Sequence, residues 1–190
     1  MKHYYHGSSI GGITQLKACS NLHITGQKVV YLTDNAPYAL FYIWDPAHNG
    51  CSVKHVTGWT KNGIAYYEEQ FPDQLKTFYQ GVSGYVYCIS DSENIQAVEN
   101  RKNMYYCIGD VAVTESTYIP DVYEELLKYE AEGKFLVLRY NEQSAERQNE
   151  LTDFMAQGII REGFYTANKE KQEFMKKHFS KAWEKAELLR

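Results

Sequence analysis

Residues 28–44 read KVVYLTDNAPYALFYIW, and this stretch decides the fold. The first six, KVVYLT, are β-branched and aromatic and alternate as a strand does. TDN then supplies the short polar side chains that cap helices. Thr33 or Asp34 is the expected cap, with Pro37 in the first turn, where its missing N–H leaves nothing unmade. YALFYIW follows as a short apolar helix. A strand passing through a polar turn into a helix puts Tyr31 at the strand end and Tyr42 on the helix, so one turn can fold the two rings toward each other.

Toward the N-terminus, KHYYH at 2–6 is a short strand that ends in His6-Gly7-Ser8, and SSIGGITQLKAC is a glycine-rich turn and connector. Toward the C-terminus, residues 45–70 form a long surface loop or hairpin, PDQLKTFYQG at 72–81 a helix, and GYVYCIS a strand. MYYCIGDVAVTESTYI at 104–119 is two strands, or one broken at Gly109-Asp110. PDVYEELLKYEAEG at 120–133 is a helix opened by Pro120 and ended by Gly133, with Val122, Leu126 and Tyr129 on one face. KFLVLRY is the last strand, and everything after about residue 141 is helical in pattern. Met175, Phe179, Ala182, Trp183, Ala186 and Leu189 make one apolar stripe, expected to dock on the body. The fold class is therefore α+β: a strand-rich body over residues 1–140 and a helical C-terminal extension over 141–190 packed on it.

The chain of 190 residues is 44% hydrophobic, which fits a globular domain with a core of its own. Its net charge of -4 gives no general attraction to a phosphate backbone. No apolar run approaches the roughly 18 residues of a membrane span, and MKHYYHGSS lacks the apolar segment of a secretory leader, so a cytoplasmic protein without a membrane partner is expected. Cys19, Cys51, Cys88 and Cys107 form neither a CxxC pair nor a zinc spacing with histidine; reduced thiols and no metal are expected. Tyrosine, 17 times present, offers a flat apolar face with a polar tip, which suits wet clefts as well as cores.

His6 at a strand end can offer a ring nitrogen to a sugar hydroxyl, and Gly7 beside it lets a ligand approach the backbone. Two facing tyrosine rings, Tyr31 and Tyr42, make a slot for a flat, electron-poor ring, of which the nicotinamide cation is one. Taken singly, each motif also fits a plain strand end or a pair of core tyrosines.

Together, His6-Gly7-Ser8 followed by Tyr31, ten residues, and Tyr42 resemble the ADP-ribosyltransferase superfamily, in the His-Tyr-Glu branch that includes diphtheria toxin and the poly(ADP-ribose) polymerases. The resemblance covers residues 1–140 and implies a split β-sheet body with NAD as substrate and no metal. It further implies that Gly7 binds the carboxamide through its backbone and that His6 holds the far ribose, with Ser8 assisting near the other. Tyr31 and Tyr42 would sandwich the nicotinamide. The family's later glutamate falls on Glu115, alone in the apolar run VAVTEST ahead of a helix, where burial would be costly without work or a partner; Glu68 and Glu69 of YYEEQF come too early in the chain. Glu115 would hydrogen-bond the nicotinamide ribose and steady the positive charge as the glycosidic bond opens.

Arginine-specific relatives carry a second Glu or Gln two residues before the catalytic one and an Arg in place of the histidine. This chain has Val113 and His6 there, which argues against an arginine acceptor and leaves the acceptor unknown: protein, nucleic acid, small molecule or water. Two other classes share the pattern. One is a catalytically silent relative that binds a nucleotide or a protein. The other is an RNA 2′-phosphotransferase, which requires an arginine and histidine set that Arg101, Arg139, Arg147, Arg161 and Arg190 do not obviously supply.

Overall fold

A computed structural model describes residues 2–22, 25–45, 48 and 58–190. The strands are β1 (His3–Ser8), β2 (Gln15–Leu16), β3 (Ser20–Asn21), β4 (Lys28–Thr33), β5 (Gly58–Lys61), β6 (Ile64–Glu68), β7 (Gly84–Ser90), β8 (Ile95–Ala97), β9 (Met104–Ile108), β10 (Val111–Ala112), β11 (Glu115–Ile119) and β12 (Phe135–Leu138). The α-helices are α1 (Ala36–Leu40), α2 (Gln74–Tyr79), α3 (Val122–Ala131), α4 (Ala145–Arg161), α5 (Lys169–His178) and α6 (Ser180–Leu189). The protein is mixed α+β, with antiparallel sheets and a helical C-terminal region.

The described chain forms two compact units. The first is Met1–Asp45, Gly58–Tyr67 and Tyr79–Leu136; the second holds Glu68–Phe78 and Val137–Arg190. In the first, a seven-stranded antiparallel sheet runs in the order β11-β7-β1-β4-β9-β8, with β3 paired to β4. β4 shows why KVVYLT is a central strand: Val29, Val30, Leu32 and Thr33 are all buried, so both faces are covered. Tyr4, Val30, Leu32, Tyr87, Ile89 and Cys107 pack as one cluster on one face. The run 104–119 is three strands rather than one or two: the chain turns at Gly109, whose φ of 81° favours glycine, and β10 leaves to pair with β2.

The polar turn after β4 differs from its expected form. The cap of α1 is Asn35, not Thr33 or Asp34; its side chain accepts from the Tyr38 N–H at 2.9 Å. The Thr33 hydroxyl donates instead to the Asn103 carbonyl at 2.6 Å, and Asp34 accepts from Asn103 and Tyr105. All three side chains thus pin the turn, two of them to the approach of β9. α1 ends at Leu40, so Tyr42 lies in the turn after the helix and not on it. Aromatic and β-branched residues propagate a helix weakly, and burial of Phe41 and Ile43 draws the chain inward instead.

The helix packs on β1 at Gly7. A β-carbon there would stand 2.1 Å from the Ala39 carbonyl oxygen and 3.1 Å from the Ile43 side chain, so only glycine admits α1 this close. In the second unit, Phe71, Phe78, Phe174 and Phe179 form an aromatic core. The apolar stripe of 169–190 survives a break at Phe179 between α5 and α6. Met175, Ala182, Trp183 and Ala186 are buried, while Leu189, at 54% exposure, is not.

Candidate functional site

β1 pairs with β7 over six residues and β4 with β9 over five, yet β1 and β4 share a single register pair, Tyr5 with Thr33. Beyond that pair, His6 reaches across: its Nδ1 lies 3.0 Å from the Tyr31 carbonyl oxygen. A carbonyl only accepts, so Nδ1 carries the proton and Nε2 is left as an acceptor. Burial holds the His6 pKa below the ordinary histidine value, against the opposing pull of the Tyr31 carbonyl. His6 is therefore neutral at physiological pH, with one nitrogen fixed by the fold.

The cleft at this parting is lined by Tyr5, His6, Gly7, Tyr31, Leu32, Thr33, Tyr38, Tyr42 and Met104, and encloses about 300 Å³ counting its open mouth. Four of the six residues singled out in the sequence, His6, Gly7, Tyr31 and Tyr42, meet here. Tyr31 is anchored by its hydroxyl, which donates to the Asn21 carbonyl at 3.2 Å. Tyr42 meets Tyr38 edge to face with ring centroids 5.8 Å apart, and burial pushes its phenol well above the usual tyrosine range. The cleft is thus walled by aromatic faces, while strand alternation sets the His6 side chain on the sheet face opposite Tyr5 and Tyr31, so His6 meets the parting from the other side.

The other two lie elsewhere. Ser8 ends β1 outside the lining, and its hydroxyl accepts from the Ile10 N–H at 3.1 Å. Glu115 is exposed at the start of β11, the edge strand, so the burial cost that singled it out in the sequence does not arise. Its register is nonetheless informative. Glu115 pairs with Cys88, Cys88 with Tyr5, Tyr5 with Thr33 and Thr33 with Met104, making one row across five strands. Directly paired antiparallel residues point to the same face, and strands lie about 4.8 Å apart. Glu115 therefore shares the face of Tyr5, Thr33 and Met104 in the cleft, about 10 Å beyond Tyr5.

The rival carboxylates are engaged in the second unit. Glu68 takes a two-pronged contact from Arg147 at 2.8 and 2.9 Å. Glu69, 6% exposed, accepts from the Leu75 and Tyr140 N–H groups, each at 3.1 Å. Sequence reasoning passed over Tyr5, Leu32, Thr33, Tyr38 and Met104 as cleft residues. Periodicity held part of the signal: Tyr5 and Thr33 stand two residues from Gly7 and Tyr31, and Tyr38 stands four before Tyr42. Met104 enters only through long-range pairing with Thr33.

Among the described residues there is no cluster of three or more His, Cys, Asp or Glu side chains able to hold a metal ion, and no helix long and apolar enough to cross a membrane. Comparison with protein-family models, with curated proteins and with solved structures returned no match.

Proposed function

We propose that this protein is an NAD-dependent ADP-ribosyltransferase of the split-sheet, His-Tyr-Glu kind, releasing nicotinamide and passing ADP-ribose to an acceptor yet to be identified. The observation that carries the reading is the meeting of His6, Gly7, Tyr31 and Tyr42 in one aromatic cleft at the parting of β1 and β4. Beyond Met104 a broader open basin lined by Arg101, Lys102 and Asn103 offers the positive charge that a diphosphate requires.

In this reading Tyr31 and Tyr42 hold the nicotinamide by its faces, Gly7 presents backbone polar groups to the carboxamide, and His6 Nε2 accepts from a ribose hydroxyl. The bond from ribose C1′ to the nicotinamide nitrogen breaks, the electron pair leaves with neutral nicotinamide, and the acceptor's lone pair closes on C1′ as the acceptor loses its proton to solvent. Glu115, on the same sheet face, opposes the positive charge that grows on the ribose. A second reading, a silent nucleotide-binding relative, is favoured by one observation: Glu115 is two strands from Tyr5 and outside the cleft lining.

Titration with NAD, together with measurement of nicotinamide release by the unmodified protein and by Glu115→Gln, separates the readings. The transferase predicts binding by both and turnover reduced about a hundredfold in the variant, because Gln keeps the shape but lacks the charge used in the transition state. Binding without turnover in the unmodified protein supports the silent relative. No binding at millimolar NAD overturns both.

A further inference from the structure

We propose that Cys88 and His3 form a nucleophilic thiol pair, a site of reversible thiol–disulfide exchange with low-molecular-weight disulfides. The Cys88 sulfur lies 3.4 Å from His3 Nδ1, within hydrogen-bonding reach for sulfur. His3 is exposed and Cys88 half-buried, so both the base and the sulfur are open to a small reagent. The other described thiols lack this arrangement. Cys107 is 2% exposed, burial pushes its thiol pKa up, and its sulfur faces the Ile108 carbonyl at 3.7 Å. Cys19 is exposed, in the connector ahead of β3.

The reaction balances without a further reagent. The Cys88 proton passes to His3 Nδ1, and the sulfur attacks one sulfur of the disulfide. The disulfide's S–S bond breaks as the new one forms, and the departing thiolate takes the proton back from His3. Excess thiol reverses every step. The position gives the adduct a consequence: Cys88 is the one residue of its row between Tyr5, in the cleft wall, and Glu115. A group attached there stands beside the cleft mouth and between the two. The exchange chemistry is independent of the NAD reading.

The test uses the full chain, brief exposure to iodoacetamide, and peptide mass spectrometry that reads each cysteine separately. Cys88 is expected to alkylate faster than Cys19, and His3→Ala or His3→Gln to slow Cys88 by about tenfold or more with Cys19 unchanged. Cys107 remains unreactive in a folded variant and so reports unfolding within the same digest. Among the described thiols, glutathione disulfide is expected to modify Cys88 first, in an adduct removable by dithiothreitol. An unchanged Cys88 rate in both folded His3 variants, or an adduct that forms elsewhere and not on Cys88, overturns the proposal.

Discussion

Tyr38 and Tyr42 are four residues apart and line the same cleft, but they answer to different demands. Tyr38 is 8% exposed and packs edge to face against both Phe41 and Tyr42, so it belongs to the core as well as to the cleft. Tyr42, in the turn after α1, is only half-buried. Tyr42→Ala is therefore expected to weaken nicotinamide binding by about 1 kcal/mol or more while leaving thermal stability nearly intact. Tyr38→Ala is expected to lower stability by about 3 kcal/mol, the scale of emptying a buried aromatic site. Ligand titration and thermal melting, run on both variants, check the division. Loss of binding in the two to the same extent, with equal melting temperatures, would show that the ten-residue spacing carries no function.

At the scale of elements, the contact of α1 with β1 fixes the cleft, and Gly7 fixes that contact. Gly7→Ala would set a methyl against the Ala39 carbonyl, where backbone and not a flexible side chain must move. The expected cost is about 1–3 kcal/mol, read as a lower melting temperature, with α1 displaced from β1. Gly7 thus has a packing role whether or not a ligand meets its backbone. Sequence reading recovered β4 to the residue, because KVVYLT combines β-branched composition with a polar stop, and it placed β7, α3 and β12 within a few residues. Local pattern did not reveal which of three adjacent polar residues would cap α1, since Thr33, Asp34 and Asn35 can all accept an N–H. That choice was made by Asn103 and Tyr105, some seventy residues on, which occupy Thr33 and Asp34. Glu115 shows the same limit. Its isolation in an apolar run suggested burial, but exposure depends on β11 being an edge strand, which only the sheet order tells.

At the scale of the molecule, two histidines among the described residues couple stability to pH, one in each unit. His6 is half-buried beside the cleft, and His178 sits with its ring 4.5 Å from both Phe71 and Phe174. Burial lowers both pKa values, and for His178 the neighbouring Lys177 adds to the effect. A lowered histidine pKa means that the unfolded chain binds more protons, so stability is retained above the ordinary value of about 6.5 and lost as pH falls through it toward the folded pKa. Melting temperature is expected to fall as pH drops from 7 toward 5, and His178→Phe, which removes one titrating group while keeping an aromatic ring, is expected to flatten the decline. An unchanged slope in that variant would remove His178 as a cause.

The parting between β1 and β4 has a further consequence for motion. Six rungs tie β1 to β7 and five tie β4 to β9, but one rung joins the two ribbons. In deuterium labelling, the amides locked between β1 and β7 should exchange only with global unfolding. Those of β4 that face β1 should exchange by a cheaper local opening, like a zip that is fastened at a single tooth. The candidate cleft lies along that zip, so whatever binds there would be registered as slowed exchange on either side of the seam.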